Sequence, residues 1–151
     1  MTVATTCDVE TLSAIHATSF PDSWTALFFN ALLVQPGVVA LAGPENEPAG
    51  FVLFRVALDE AEILTFAVRP EHRHHGFGQT LLNAAIDYVR QQNVTRCFLE
   101  VAVDNASAIS PYARCGFVTC GRRKEYYQRE SGQIDALMME RLLHHETVKI
   151  R

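Results

Sequence analysis

Glu100 is the one charged residue in the apolar run Phe98-Leu-Glu-Val-Ala-Val103. A buried carboxylate with no partner is costly to desolvate, so Glu100 must pair with an arginine or face a polar cleft. In a cleft it can take a proton from an attacking group as a general base. Tyr112 lies just beyond, and its ring suits core packing. Its hydroxyl suits a second role, protonating a departing thiolate, because phenol and thiol pKa values lie close enough for useful transfer. A third group of residues is the loop Arg73-His74-His75-Gly76-Phe77-Gly78, followed by Gln79. Two glycines two apart at a strand-to-helix junction let the backbone turn sharply and approach a ligand. The amides that follow belong to a helix N-terminus, which favours a phosphate. The loop lacks the G-K-[ST] ending of a Walker motif and the third glycine of a dinucleotide fingerprint, which disfavours nucleotide triphosphate chemistry and leaves two readings, a structural glycine turn or a cradle holding a pyrophosphate mainly by backbone.

Other reactive residue types give weaker signals. His72, His74 and His75 are adjacent on a turn and do not converge on one ion, so they read as exposed histidines bordering an anion site, and no metal is expected. The four cysteines (Cys7, Cys97, Cys115, Cys120) contain no C-x-x-C pair, which argues against a disulfide framework or a thiolate zinc site. Cys97, Cys115 and Cys120 are expected to be buried hydrophobes.

The elements that must position these groups follow from periodicity. A first helix starts near Asp8 and buries Leu12, Ile15 and Phe20; a second starts near Ser23 or Thr25 and carries Leu27, Phe28 and Leu32. Apolar runs at 38–42, 50–57 and 61–68 form an antiparallel meander, its first hairpin turning at 43–48. Residues 78–92 place Leu81, Leu82, Ala85, Ile86 and Val89 at helical spacing, with Asn93 as the stop. Residues 98–103 form a buried strand, so this helix completes a βαβ crossover. Asn105 caps a short helix ending at Gly116. Strands at 117–121 and 136–141 follow, joined by a polar, partly aromatic loop. The fold expected is α/β of the α+β kind: a mixed, mostly antiparallel sheet of six to seven strands with helices on both faces. Residues 1–143 form a single domain and 144–151 a C-terminal tail.

The chain has 151 residues, with 13 basic and 17 acidic side chains and a formal charge of −4. A basic stripe of the kind that neutralises phosphate backbones is missing, which disfavours nucleic acid. No run approaches a membrane span of roughly 20 residues. The N-terminus has neither the basic start nor the apolar stretch of a secretory signal, so a cytoplasmic protein is expected; a monomer or weak dimer is the expected state. Asp59, Glu60 and Glu62 read as a solvated turn or as a steering patch for a cation.

Together these segments resemble the GNAT N-acetyltransferase superfamily, over nearly the whole chain to about Leu143. The core of the resemblance is the Q/R-x-x-G-x-G/A loop, present as Arg73-x-x-Gly76-x-Gly78. Within the superfamily the chain is most similar to the RimI-type ribosomal protein alanine N-acetyltransferases. That likeness rests on Leu99-Glu-Val101, Asn105, Ala108-Ile109, Tyr112, Gly116-Phe117, Arg122-Arg123, Tyr126-Tyr127 and Asp135-Ala-Leu-Met138, with Phe20-Pro21 and Trp24-Thr25 near the start.

The resemblance implies acetyl-CoA as co-substrate and a primary amine as acceptor, foremost the N-terminus of a protein. Phe66, Ala67 and Val68 would pair their backbone with the pantetheine arm, and the amides from His74 through His75, Gly76, Phe77 and Gly78 to Gln79 would hold the pyrophosphate beside Arg73. Asn105 would contact the arm, Glu100 would deprotonate the amine and Tyr112 would protonate the thiolate. About nine in ten α-amines of pKa near 8 are protonated at pH 7, so a base has work to do. Two departures stand out: Pro111 precedes Tyr112, where it removes a helical hydrogen bond, and His74 and Gln79 replace arginines common in the loop. A small-molecule amine as acceptor and a non-catalytic coenzyme A sensor remain alternative readings.

Overall fold

The computed structural model describes residues 1–144; the proposed tail, beyond its first residue, lies outside the described residues. Seven strands form one sheet: β1 (Thr2–Val3), β2 (Val38–Gly43), β3 (Gly50–Ala57), β4 (Glu60–Val68), β5 (Arg96–Ala102), β6 (Val118–Arg129) and β7 (Gly132–Leu142). Their order is β1-β2-β3-β4-β5-β7-β6, antiparallel except for the β4–β5 pair. Among the described residues four α-helices flank it: α1 (Val9–Ala17), α2 (Ala26–Leu33), α3 (Phe77–Gln91) and α4 (Ala106–Arg114). This is the mixed, mostly antiparallel architecture expected, with helix α3 as the crossover between its two parallel strands. No helix among the described residues is long and apolar enough to cross a membrane.

Strand β3 shows why its sequence is apolar without alternation. Val52 and Phe54 face one core with Leu81, Leu82, Ile86 and Val89 of α3, while Phe51 and Leu53 face a second with Leu12, Ile15, Phe29 and Leu32 of α1 and α2. Both faces of the strand are covered, so both sets of residues are buried.

Several local expectations are corrected. Asp8 does not cap α1 with its side chain; its carboxylate accepts the Thr5 N–H at 2.7 Å in a capping box with Thr5. Thr25 does cap α2, its Oγ1 accepting from the Phe28 N–H at 3.2 Å. In the run Leu27-Phe28-Phe29 the helix turns Phe29 inward and leaves Leu27 83% and Phe28 44% exposed. Cys120 is exposed on β6, whereas Cys97 and Cys115 are buried. Residues 122–135 are not a loop. They continue β6 and β7 as a paired ribbon, interrupted between Arg123 and Tyr127 by a bulge. At that bulge Glu125 has φ +55°, and the Asp135 carboxylate accepts the Glu125 N–H at 2.8 Å and pairs with Arg122 at 2.6 Å. The ribbon escaped detection because both faces of β6 are mostly solvated, which erases the period-two signal of a half-buried strand.

The feature that makes room for a site is a break between β4 and β5. Their pairing runs only from Glu60↔Arg96 to Ile63↔Leu99. One residue further, the β3–β4 register shifts: Phe54 faces Ile63 while Leu53 faces Thr65, leaving Leu64 as the extra residue of a bulge. A bulge bends its strand, and the remainder of β4 follows β3 and leaves β5. Beyond the bend, the β4 edge toward β5 has no strand partner among the described residues. At the opposite, closed end, Arg96 ties the strands together through Glu60 at 2.8 Å and Glu140 at 2.7 Å. Glu60 therefore serves the sheet there.

Candidate active site

Two cavities open from the gap. The larger, about 560 Å³, is walled by Phe66, Ala67 and Val68 of β4, by the loop with Arg73, His74, Gly76, Gly78 and Gln79, and by Asn105 and the exposed face of α4. The two glycines of this loop do different work. Gly76 takes φ +80°, where a side chain would be strained, yet a Cβ there would meet nothing within 4 Å. At Gly78 the constraint is space, since a Cβ would sit 3.0 Å from Cζ of Phe66. His74 also adopts a left-handed φ of +65°, a sparsely populated conformation for a residue with a side chain. The first α3 hydrogen bond runs from the Thr80 N–H to the Gly76 carbonyl at 3.1 Å. The amides of Phe77, Gly78 and Gln79 precede it and have no intrahelical partner. Gln79 Oε1 is buried with no hydrogen-bond partner among the described residues.

Most of the residues expected to hold the coenzyme therefore line one cleft, with three departures. His75 is exposed and the Phe77 ring packs against the core; neither lines the cleft. Arg73 spends its guanidinium on the protein: Nε donates to the Val68 carbonyl at 2.9 Å and Nη2 to Ser19 Oγ at 2.9 Å. It fixes the end of β4 to the segment after α1. Asn105 begins α4 but makes no side-chain cap; its Oδ1 accepts from Ser107 Oγ at 3.1 Å, and the residue lines both cavities.

The second cavity, about 330 Å³, brings Glu100 and Tyr112 together with Phe20, Trp24, Tyr126 and Tyr127. Phe66 and Asn105 are shared between the cavities, so the two meet there. Glu100 satisfies both possibilities left open by its sequence. Its Oε1 pairs with Arg123 Nε at 2.9 Å, while Oε2 has no partner among the described residues and the side chain keeps 19% of its surface exposed. Arg123 itself is 53% exposed and packs over Tyr126 at 5.2 Å. Its approach depends on the β6 ribbon, which is why sequence patterning missed it.

Helix α4 continues through Pro111, with the Cys115 N–H reaching the carbonyls of Pro111 and Tyr112 at 3.0 Å. Tyr112 is 5% exposed and packs against Phe66 at 5.6 Å and Phe117 at 5.9 Å. Its hydroxyl has no hydrogen-bond partner among the described residues. Burial pushes the Tyr112 phenol well above its ordinary pKa, so it carries its proton across the neutral range. Burial, helped by Cys115, pushes the Cys97 thiol up to about 12, which suits a packed hydrophobe and not a nucleophile.

The amides at the start of α3, the bent strand β4 and the adjoining cavity with a carboxylate and a phenol can take a diphosphate-bearing ligand beside groups able to move protons. The acetyltransferase (GNAT) family profile matches residues 9–117, and the chain belongs to that family. It is an acetyl-CoA-dependent N-acetyltransferase, and the cleft fits that co-substrate: the Gly78 cradle would be filled by a Cβ, and the loop amides stand free for a diphosphate. Among its relatives, a Bacillus subtilis protein provisionally named as a ribosomal protein bS18-alanine N-acetyltransferase is 33% identical over 134 residues, covering 87% of each chain. The Escherichia coli ribosomal protein bS18-alanine N-acetyltransferase is 37% identical over 91 residues, 60% of this chain and 62% of that protein. The crystal structure of the Escherichia coli ribosomal-protein-S18-alanine N-acetyltransferase superposes with a TM-score of 0.86 at 26% identity, over 99% of this chain and 98% of the other.

Proposed function

We propose that this chain acetylates the N-terminal α-amine of a protein, foremost a ribosomal protein beginning with alanine, by direct attack of the amine on the thioester. The observation that supports this reading is the second cavity. It holds Glu100 and Tyr112, adjoins the coenzyme cleft at Phe66 and Asn105, and is walled by Tyr126 and Tyr127 of the β6 ribbon, aromatic surfaces suited to an extended backbone. The names of the similar bacterial enzymes point the same way.

In this mechanism acetyl-CoA supplies the thioester carbonyl and the thiol that leaves. The free edge of β4 at Phe66, Ala67 and Val68 offers backbone pairing to the pantetheine arm, as an added strand does, and a strand-end N–H there stabilises the oxyanion. The amides from His74 to Gln79 hold the diphosphate, and Asn105 faces the arm. Glu100 accepts the amine proton through Oε2, directly or through one water. Tyr112 gives its proton to the sulfur as the C–S bond breaks, and the second proton shed by the attacking nitrogen, carried through water, restores the phenol. Placing both substrates in adjoining cavities removes much of the entropic barrier.

The test is incubation with acetyl-CoA and peptides of varied first residue, thiol release being followed and products identified by mass spectrometry. Alanine-first peptides should be acetylated at the α-amine, and Glu100→Gln should lower kcat by about 10²-fold or more. Turnover of small amines with no turnover of any peptide would overturn the acceptor assignment.

A further inference from the structure

His16, the penultimate residue of α1, forms part of the wall of the second cavity. It is 2% exposed. Its ring stacks between Phe20 at 4.3 Å and Trp24 at 4.9 Å, with the edge of Phe29 at 5.7 Å. The Trp24 N–H donates to Nδ1 at 3.1 Å. A neutral imidazole has one proton, so with Nδ1 accepting, that proton resides on Nε2. Burial lowers the His16 pKa to about 4, and the ring is neutral at physiological pH. Nε2 has no hydrogen-bond partner among the described residues. Nε2 is not fully enclosed. The Nε2–H is therefore a rigidly held donor on a ring that lines the acceptor cavity.

We infer that His16 is a specificity-determining residue whose Nε2–H donates to a backbone carbonyl oxygen of the peptide acceptor while its amine is presented to Glu100. The inference rests on the peptide-acceptor reading and adds to it the group that recognises the peptide. The occupied Nδ1 and the protonated Nε2 leave the ring no lone pair to act as a base. An uncharged donor pairs with an uncharged oxygen; a peptide presents one at every residue, and simple aliphatic amines have none. A site built to hydrogen-bond such a group rejects molecules that lack it.

The test is a thioamide scan. Peptides acetylated by the native enzyme are remade with sulfur replacing oxygen at the first, second or third carbonyl, sulfur being the weaker acceptor. One position should raise the peptide KM about 3- to 10-fold, with kcat and the acetyl-CoA KM unchanged. His16→Asn keeps an oxygen near Nδ1 for the Trp24 N–H but has no donor near Nε2; it should raise the KM of the all-oxygen peptide similarly and erase the sulfur effect. His16→Gln, whose amide NH2 reaches toward the Nε2 position, should restore that effect in part. An unchanged acetyl-CoA KM reports that each variant is folded, and the scan on the native enzyme stands without them. Indifference of the native enzyme to sulfur at all three positions, or a sulfur effect that survives His16→Asn, overturns the role of His16 alone. Failure to acetylate any peptide overturns the acceptor reading beneath it.

Discussion

Tyr112→Phe separates chemistry from packing at this site. The substitution removes one oxygen and leaves the ring against Phe66 and Phe117. Because the hydroxyl has no hydrogen-bond partner among the described residues, its loss should change folding stability by less than ~0.5 kcal/mol, a melting shift of about 1–2 °C. Tyr112→Ala, by contrast, empties a site only 5% exposed and should cost about 3–5 kcal/mol. Proton donation is a separate quantity. The burial that raises the Tyr112 phenol also raises a thiol in the same core, Cys97, to about 12. Desolvation disfavours thiolate and phenolate alike, so a sulfur shielded from water beside the phenol becomes a stronger base as the phenol becomes a weaker acid. General acid catalysis is worth about 10²–10⁴-fold, and Tyr112→Phe should lower kcat by about 10²-fold or more while the acetyl-CoA KM stays within twofold. Steady-state thiol release and calorimetric melting measure both. Turnover within threefold of the native enzyme, with melting unchanged, would show that water and not Tyr112 protonates the sulfur.

Three further outcomes are expected. Gly78→Ala places a methyl 3.0 Å from Cζ of Phe66 and should weaken acetyl-CoA binding about tenfold by titration calorimetry, whereas Gly76→Ala, with open space but a φ of +80°, should mainly cost about 1 kcal/mol of stability; equal effects on binding would contradict this division. Arg73→Lys keeps the charge but not the two-pronged grip on Val68 and Ser19, so it should lower the melting temperature as much as Arg73→Gln does; full rescue by lysine would mean that charge is what the position supplies. His16 has a folded pKa of about 4 against 6.5 unfolded, so the unfolded chain binds its proton first on acidification. The stability from this group is complete above pH 6.5 and falls by about 3 kcal/mol as pH drops to 4; denaturation across that window should show the loss, and His16→Gln should flatten it.

The elements with one buried face were legible in the sequence. Leu81, Leu82, Ala85, Ile86 and Val89 announce α3 by their spacing, and all five are buried as expected. The order of helices and strands followed from such runs and from the glycines that end them. The opening between β4 and β5 was not legible, because Leu64 reads as one more apolar residue and its bulge arises from register with β3. The same limit hid the β6–β7 ribbon and with it the Arg123 partner of Glu100. Arg73 was placed at the pyrophosphate by its position in the loop motif, whereas its hydrogen bonds depend on a contact with Ser19, 54 positions away. His16 gave no motif; its role in the fold comes from Trp24 reaching back across a turn.

The outermost position of β6 has an evolutionary corollary. Tyr126 and Tyr127, which wall the proposed acceptor cavity, sit on a strand that pairs only with β7 among the described residues, whereas the cleft proposed to hold the thioester carrier is built from β4 and α3 in the middle of the molecule. On the proposed acceptor reading, substitutions at Tyr126 and Tyr127 would retune which amine is modified while the donor half is inherited intact, whereas Arg123 on the same strand is constrained by its pairing with Glu100. Descendants of such a scaffold would diverge first at this margin, keeping one reaction and exchanging the company it serves.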